Sequence, residues 1–248
     1  MKKAIIGCGM VGGALARVLD NPILYDPPKG IGNIDDVNEC DVIFVCVPTP
    51  GECDLTIMKK VLTEIKGNKI IVIKSTVLPG TTDYFQKKYP QHKFLFNPEF
   101  LTESTADQDI KYPDRQLIGY TDKSFTIAGD IMLMLPLAPF ERIVPAKEAE
   151  MAKYYNNAWF STKVIFANQI YDICEKAGIN YNSVKDMASA DKRVGRSHLD
   201  VLHKGYRGFG GKCLPKDLDA ILKFAKQKKV KVPLLEITKK INDTLRNV

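Results

Sequence analysis

The stretch GFGGKCLPKD, which covers residues 208–217, combines a thiol and a carboxylate at a spacing that could do chemistry. Cys213 stands where a helix is predicted to begin, and Asp217 follows one helical turn later. A helix N-terminus stabilises a thiolate, and a nearby carboxylate can orient water against an intermediate bound to sulfur. Cys46, inside an apolar run, is instead typical of a buried structural cysteine. The pattern therefore predicts that Cys213 is a nucleophile.

A second pattern predicts a dinucleotide site near the N-terminus. The first predicted strand runs into GCGMVG at residues 7–12, a GxGxxG turn whose glycines let the backbone approach a pyrophosphate at a helix N-terminus. Asp26 ends the next predicted strand, about 20 residues further on, where a carboxylate would accept the ribose hydroxyls and repel a 2′-phosphate. NAD is therefore favoured over NADP. The alternative, a glycine-rich turn with an incidental aspartate, explains less of this combination.

Three further segments offer polar groups to hydride chemistry. KSTVLPGTT at residues 74–82 and NPEFLTE at residues 97–103 each follow a predicted strand, at the sheet edge where ligands bind. Each could equally be loop and helix-cap chemistry. On a predicted long helix, Lys153 and Asn157 are i,i+4 neighbours on an apolar face, which predicts buried polar heads. A buried lysine can polarise an alkoxide or exchange protons, although a lysine stem lying along the surface is the simpler interpretation of that position alone.

The elements that must position these residues follow from hydrophobic periodicity. Short β-rich runs alternate with helical patterns up to residue 145, which is typical of a βαβ series. Apolar runs such as VIFVCV suit strands covered on both faces. We predict an α/β fold with a Rossmann-type, doubly wound, mostly parallel sheet in an NAD-binding domain at residues 1–145. The predicted strands lie at residues 3–6, 23–25, 42–47, 70–73, 94–96, 116–118 and 142–144.

Residues 146–248 are predicted to form an all-helical central domain for dimerisation and substrate binding, built on one long helix at 146–177 that ends before Gly178. Shorter helices are predicted at 183–190, 213–229 and 234–246, with an irregular loop at 205–211. The long helix carries two apolar stripes and is therefore predicted to be largely buried. The first stripe is Tyr155, Ala158, Trp159, Phe166, Ile170 and Ile173; the second is Phe160, Val164, Ala167, Tyr171 and Cys174.

Composition narrows the class of protein. The chain has 248 residues, 45% apolar and 26% charged, which excludes collagen-like, disordered and coiled-coil architectures. The basic run at residues 223–231 predicts a solvated helix face, and because no nucleic-acid motif accompanies it, no nucleic-acid partner is expected despite the net charge of +7. Six cysteines without a CxxC pair predict no metal site and a cytoplasmic protein. No apolar run reaches the roughly 20 residues of a membrane span, so no membrane association is expected.

Six motifs together resemble the UDP-glucose/GDP-mannose dehydrogenase family, in the same order and over nearly the whole chain: GCGMVG, STVLPGTT, NPEFLTE, PDRQLIG, AEMAKYYNNAW and GFGGKCLPKD. The resemblance implies that NAD oxidises the C6 alcohol of a nucleotide sugar twice, with UDP-glucose or a related UDP-hexose as substrate. An aldehyde forms first, the cysteine adds to it, the second oxidation gives a thioester, and water releases the acid.

The resemblance also implies roles for individual residues. Cys213 would be the nucleophile, Asp217 would position or activate water, and Lys153 and Asn157 would stabilise the oxyanions. Thr76 would help to hold the water and the cofactor, and Glu103 or Glu99 would serve in acid–base work and substrate positioning. The predicted cofactor site comprises Gly7, Gly9, Met10, Val11, Gly12, Asp26, Thr49, Thr76 and Glu103; the predicted substrate site comprises Glu99, Phe100, Leu101, Lys153, Asn157, Arg193, Gly210 and Lys216.

Assembly and two alternatives complete the expectations. The resemblance implies a homodimer through the long helix, with Arg193 reaching the neighbouring subunit's substrate. Family members normally continue into a second Rossmann-like domain that grips the nucleotide; we expect this chain to lack it, so a separate chain could complete the site. One alternative is a β-hydroxyacid dehydrogenase, which also uses a Lys-x-x-x-Asn pair but needs no thiol. The other is a non-catalytic NAD-binding or partner protein.

Overall fold

The computed structural model describes residues 1–246, and its first part is a seven-stranded sheet. The strand order is β2-β1-β3-β4-β5-β6-β7, and every neighbouring pair is parallel except β5 with β6. This confirms the predicted Rossmann-type fold class. The strands are β1 (Lys3–Ile6), β2 (Ile23–Tyr25), β3 (Val42–Val45), β4 (Ile70–Ile73), β5 (Lys93–Phe96), β6 (Arg115–Tyr120) and β7 (Phe140–Pro145).

Helices follow the strands in the first part of the chain and replace them after β7. Those between strands are α1 (Met10–Ala16), α2 (Ile34–Asn38), α3 (Thr56–Glu64), α4 (Thr81–Lys88), α5 (Ala106–Lys111) and α6 (Ala128–Met132). The later ones are α7 (Ala146–Ala177), α8 (Tyr181–Ser189), α9 (Leu214–Gln227) and α10 (Pro233–Arg246). The long helix therefore has the predicted bounds, and Gly178 follows it with a left-handed φ of 69°.

The two faces of the sheet carry separate apolar cores, as the continuous apolar runs predict. Ile43 and Val45 of β3 pack into one cluster, whereas Val42 and Phe44 pack into the other. Successive side chains of a strand point to opposite faces, so a strand covered by helices on both sides is apolar at every position. The four residues of β3 are accordingly all buried.

One strand ends earlier than predicted. The expected strand 42–47 stops at Val45, because the chain then leaves the ladder and the carbonyl of Val47 accepts the hydroxyl of Ser75 at 2.6 Å. Cys213, expected to be the first residue of its helix, precedes α9 as the N-cap. Both differences are of one or two residues and lie at the ends of elements.

The chain divides into two compact units, Met1–Lys153 and a second that begins at Tyr154. The first eight residues of α7 thus belong with the sheet. The assignment of a separate helical domain from residue 146 stays a prediction. Within residues 1–246, no helix is long and apolar enough to cross a membrane, and in the same range no group of three or more candidate metal ligands occurs.

The prediction that α7 is largely buried is wrong for most of its first stripe, although Ala158 is buried and Ile170 partly so. Tyr155 is 73% exposed, Trp159 52% and Phe166 60%, and Ile173 is exposed as well. In the second stripe Val164, Ala167 and Cys174 are buried, and the last two pack with residues of α8 and of the loop that follows it, whereas Phe160 and Tyr171 are partly exposed. The difference arises because, within residues 154–246, the elements that follow α7 pack against the side of the helix that carries the second stripe.

Candidate functional site

The glycine turn after β1 is packed backbone against backbone. Gly7 has a left-handed φ of 92°, and a Cβ there would lie 2.8 Å from the carbonyl oxygen of Cys46. A Cβ at Gly12 would lie 1.9 Å from the carbonyl oxygen of Gly7. Gly9, just before α1, has nothing within 4 Å of its Cβ position. A tight turn with open space at a helix start fits the pyrophosphate of a dinucleotide.

The structure brings Asp26 to the same turn. Its buried carboxylate accepts the backbone N–H of Cys8 at 2.8 Å, and Lys29 donates to the carbonyl of Cys8 at 2.7 Å. Met10 and Val11 begin α1 beside these residues. Burial and the neighbouring Asp26 raise the pKa of the Cys8 thiol, so this cysteine is a poor nucleophile.

Two loops at the carboxyl edge of the sheet are joined by the predicted threonines. The hydroxyl of Thr49, after β3, donates to the carbonyl of Thr76, after β4, at 2.7 Å. Thr49 is buried and Thr76 is partly exposed. This bond joins the loop after β4, which carries Thr76, to the loop after β3. Strand β3 lies next to β1, the strand that leads into the glycine turn.

A buried lysine and a buried asparagine, one after β4 and one after β5, are hydrogen-bonded to each other. Lys74 Nζ donates to Asn97 Oδ1 at 2.5 Å, and Asn97 Nδ2 donates in turn to Gln116 Oε1 at 3.1 Å. Burial lowers the pKa of Lys74. Lys74 and Asn97 begin the motifs at residues 74–82 and 97–103 but are not among the predicted site residues. The available signal for each is a polar residue directly after an apolar strand.

Glu99 and Lys153 form a buried ion pair within the first unit. Lys153 Nζ lies 2.6 Å from Glu99 Oε1, and the lysine is only 5% exposed. Glu99 Oε2 accepts the backbone N–H of Leu101 at 2.8 Å. Although burial opposes ionisation, Lys153 holds the pKa of Glu99 below its ordinary value. The simpler interpretation of Lys153, a stem along the surface, is therefore wrong.

A cavity of about 160 Å³ adjoins this pair. Its lining includes the predicted substrate residues Glu99, Phe100 and Leu101. The guanidinium of Arg115 lies 3.9 Å from the ring centre of Phe100, and its burial lowers the pKa of Arg115. Glu103 lies on an exposed turn outside this lining.

In the second unit, Cys213 is the N-cap of α9 and Asp217 lies in the first turn of that helix. The thiol is exposed, whereas Asp217 is 2% exposed. The backbone N–H of Asp217 donates to the Cys213 carbonyl at 2.9 Å. Asp217 Oδ2 accepts Asn157 Nδ2 at 2.5 Å, and Asp217 Oδ1 accepts Lys216 Nζ at 2.5 Å. Hydrogen bonds thus connect three predicted site residues, Asn157, Lys216 and Asp217, at the end of α9 that follows Cys213.

The loop before Cys213 is held by a residue that sequence analysis missed. Asn242 of α10 is buried, and its Oδ1 accepts the backbone N–H of Phe209 at 2.7 Å. Gly208 has a φ of 75°, and a Cβ there would lie 2.6 Å from the same oxygen. Gly210, predicted to bind substrate, lies against the hydroxyl of Tyr206. A polar residue on the apolar side of α10 was the available signal for Asn242.

Arg193 is placed on an exposed loop. Its side chain is 90% exposed and pairs with Asp191 at 2.6 Å. A role across a subunit boundary stays a prediction.

The comparisons with known proteins agree with these features. The chain is 36% identical over 251 residues to the UDP-glucose 6-dehydrogenase TuaD of Bacillus subtilis, covering 93% of this chain and 51% of that protein. It is 33% identical over 220 residues to the UDP-glucose 6-dehydrogenase of Rickettsia prowazekii, covering 82% of this chain and 49% of that one. The chain thus spans about half the length of these relatives.

Solved structures share the fold. A UDP-glucose dehydrogenase from the hyperthermophilic archaeon Pyrobaculum islandicum matches with a TM-score of 0.81 at 24% identity, over 98% of this chain and 68% of that one. A GDP-mannose dehydrogenase from Pseudomonas aeruginosa matches with a TM-score of 0.66 at 27% identity, over 99% and 69% of the two chains.

Two family models match in sequence order. Residues 32–132 match the NAD binding domain of the UDP-glucose/GDP-mannose dehydrogenase family, and residues 147–244 match its central domain. Together with the glycine turn at residues 7–12 and the Cys213–Asp217 pair, these matches establish that the chain belongs to the UDP-glucose/GDP-mannose dehydrogenase family.

Proposed function

We propose that this chain oxidises the C6 alcohol of a nucleotide sugar to the carboxylate with NAD, and that the sugar is UDP-glucose or a related UDP-hexose. One observation carries the proposal: an exposed Cys213 thiol at a helix start, one turn before a buried Asp217 that is hydrogen-bonded to Asn157. A single alcohol oxidation needs no thiol, whereas oxidation of an aldehyde to an acid is eased by covalent attachment.

The cofactor site in this proposal is the glycine turn. Gly7, Gly9 and Gly12 would admit the pyrophosphate, and Asp26 would accept the ribose hydroxyls. When bound, NAD accepts a hydride from the substrate carbon in each of the two oxidations. Thr76, held through its carbonyl by Thr49, would help to hold the cofactor and a water molecule.

The first oxidation requires a group that takes the hydroxyl proton and a group that stabilises the alkoxide. Lys153 would stabilise the alkoxide, because its ammonium is a buried cation. Glu99, which contacts Lys153 directly, would relay the proton. The exposed position of Glu103 makes Glu99 the better candidate for acid–base work.

The second oxidation would use the thiol. Cys213 Sγ adds to the aldehyde carbon and forms a C–S bond, and Asn157 and Lys153 stabilise the oxyanion. Loss of the second hydride from that carbon gives a thioester. Water positioned by Asp217 then adds to the thioester carbon, the C–S bond breaks, and the carboxylic acid leaves with the thiol restored. Lys216, which pairs with Asp217, and Gly210 and Arg193 would contact the substrate.

We also propose a homodimer through α7. The exposed stripe of Tyr155, Trp159, Phe166 and Ile173 is the kind of apolar surface that a partner covers. Light scattering at working concentration should give twice the chain mass. A monomeric mass would contradict the dimer.

The experiment that tests the reaction counts NADH formed for each sugar consumed, with NAD and a panel of UDP- and GDP-sugars. We expect two NADH per sugar, and we expect Cys213→Ser to abolish the second. Cys40→Ser is the matched control, because Cys40 is buried in the sheet's core and its sulfur donates to a backbone carbonyl as a serine would.

Other outcomes would overturn the proposal. Two NADH per sugar with Cys213→Ser would remove the thiol from the mechanism. One oxidation of a hydroxyacid, unaffected by Cys213→Ser, would favour a β-hydroxyacid dehydrogenase. Thermal stabilisation by NAD without turnover of any sugar would favour a non-catalytic NAD-binding protein.

A further inference from the structure

A buried carboxylate near the start of α7 is not used in the proposed chemistry. Glu150 is fully buried, and its two oxygens accept hydrogen bonds from α4, about 70 residues earlier in the chain. Oε2 accepts the backbone N–H of Gly80 at 2.5 Å, and Oε1 accepts both the backbone N–H and the hydroxyl of Thr82, at 2.8 and 2.7 Å. Glu150 therefore caps the N-terminus of α4 from another helix.

The cap replaces one that α4 lacks. Gly80 is the N-cap residue of α4 and has no side chain that could accept the N–H groups of the first turn, which have no partner within the helix. The PGTT part of the motif at residues 74–82 thus supplies the hydrogen-bond donors that Glu150 accepts. The charged neighbours are Asp83 of α4 and Lys147 of α7, which pair with each other at 3.2 Å.

The same stretch of α7 is anchored twice more within the first unit. Gly119 of β6 lets the helix approach closely, since a Cβ there would lie 2.8 Å from Ala146 Cα and 3.0 Å from Ala149 Cβ. Lys153 pairs with Glu99 at 2.6 Å. Glu150 and Lys153 are i,i+3 neighbours on one helix face, about 4.5 Å apart along the axis. The cap therefore lies between the close approach at Gly119 and the ion pair.

We propose that Glu150 is a positioning residue: by tying α7 to the N-terminus of α4, it sets the place of Lys153 Nζ against Glu99. The consequence for catalysis rests on the proposed function, because only then does Lys153 stabilise an alkoxide. A rigid helix transmits a shift at Glu150 to Lys153 nearly undiminished, and a misplacement of about 1 Å can lower a rate about a hundredfold.

The test measures the position of Lys153 without relying on activity. The full chain is treated with an amine-acylating ester, and the rate of modification at each lysine is followed by peptide mass spectrometry. Lys74, buried in the same unit but bonded to Asn97, reports general loosening. Glu148→Gln, an exposed site on the same helix, is the control for loss of one negative charge.

We expect Glu150→Gln to raise acylation of Lys153 on the order of tenfold, with Lys74 unchanged, because glutamine has one acceptor oxygen where the carboxylate has two, so that its NH2 group must face the N–H of either Gly80 or Thr82. Thr82→Val should raise it less, and Thr82→Ser should restore the native rate. If Glu150→Gln does not fold, the comparison of the Thr82 variants carries the test. If turnover is measurable, kcat should fall while NAD affinity stays constant.

Two results would overturn the inference. One is unchanged acylation of Lys153 in both Glu150→Gln and Thr82→Val. The other is an equal rise at Lys153 and Lys74, which would show that Glu150 only stabilises the fold. Failure of the dehydrogenase assay alone would contradict the proposed function and leave the acylation result to decide the positioning role.

Discussion

Replacing Glu150 by glutamine should change how stability depends on pH. Burial raises the pKa of Glu150 from an ordinary 4.5 to about 7, even though the carboxylate accepts three hydrogen bonds. The protonated acid keeps much of this network, because its O–H can donate to the Thr82 hydroxyl 2.7 Å away. In the folded protein, ionisation is therefore opposed mainly by burial.

The sign and size follow from linkage. Between pH 4.5 and about 7 the folded state holds this proton and the unfolded state has released it, so stability falls as pH rises. The contribution is fully present below pH 4.5 and is lost as the pH passes about 7. Since each step of one in pKa is worth about 1.4 kcal/mol, the total is about 3 kcal/mol.

Urea unfolding followed by circular dichroism, for the wild-type protein and Glu150→Gln at a series of pH values from about 5 to 8, measures this contribution. The variant has no group to titrate at this position. The wild type should therefore lose about 2.5 kcal/mol relative to the variant across this interval, because the first part of the total is already lost below pH 5. Glu148→Gln should show no such trend. A difference that stays constant with pH, or one that changes in the wild type's favour as pH rises, would refute the reasoning.

Three other substitutions test the packing and the cofactor site. Gly119→Ala should destabilise the protein by about 1–3 kcal/mol in urea unfolding, because its Cβ would press on Ala146; a variant as stable as wild type would contradict this. Asn242→Ala should cost about 1–3 kcal/mol in the same measurement, because it leaves the buried Phe209 N–H unpaired, and Asn242→Asp, which keeps an acceptor, should recover part of the loss. Asp26→Ala should weaken NAD binding about tenfold to a hundredfold in calorimetry, and an unchanged Kd would remove Asp26 from the cofactor site.

Much of the fold was predictable because its signals are local. Apolar runs such as that of β3 and β4 specify strands covered on both sides, and an unbroken 3.6-residue pattern closed by Gly178 specifies α7. The glycine turn and Asp26 are likewise defined by their place at the ends of adjacent strands, since parallel strands deliver their carboxyl ends to one edge.

The sequence by itself determined on which elements the candidate site residues stand. Only the tertiary structure decided their partners: Glu99 for Lys153, Asp217 for Asn157 and the Gly80–Thr82 turn for Glu150. Local periodicity fixes the face of a helix that a side chain occupies, but not the element that packs against that face. For the same reason the apolar stripe of Tyr155 and Trp159 was predicted as buried although the chain leaves it exposed. Contacts between residues 50 to 70 positions apart depend on packing, in which burial and hydrogen-bond satisfaction are decided together.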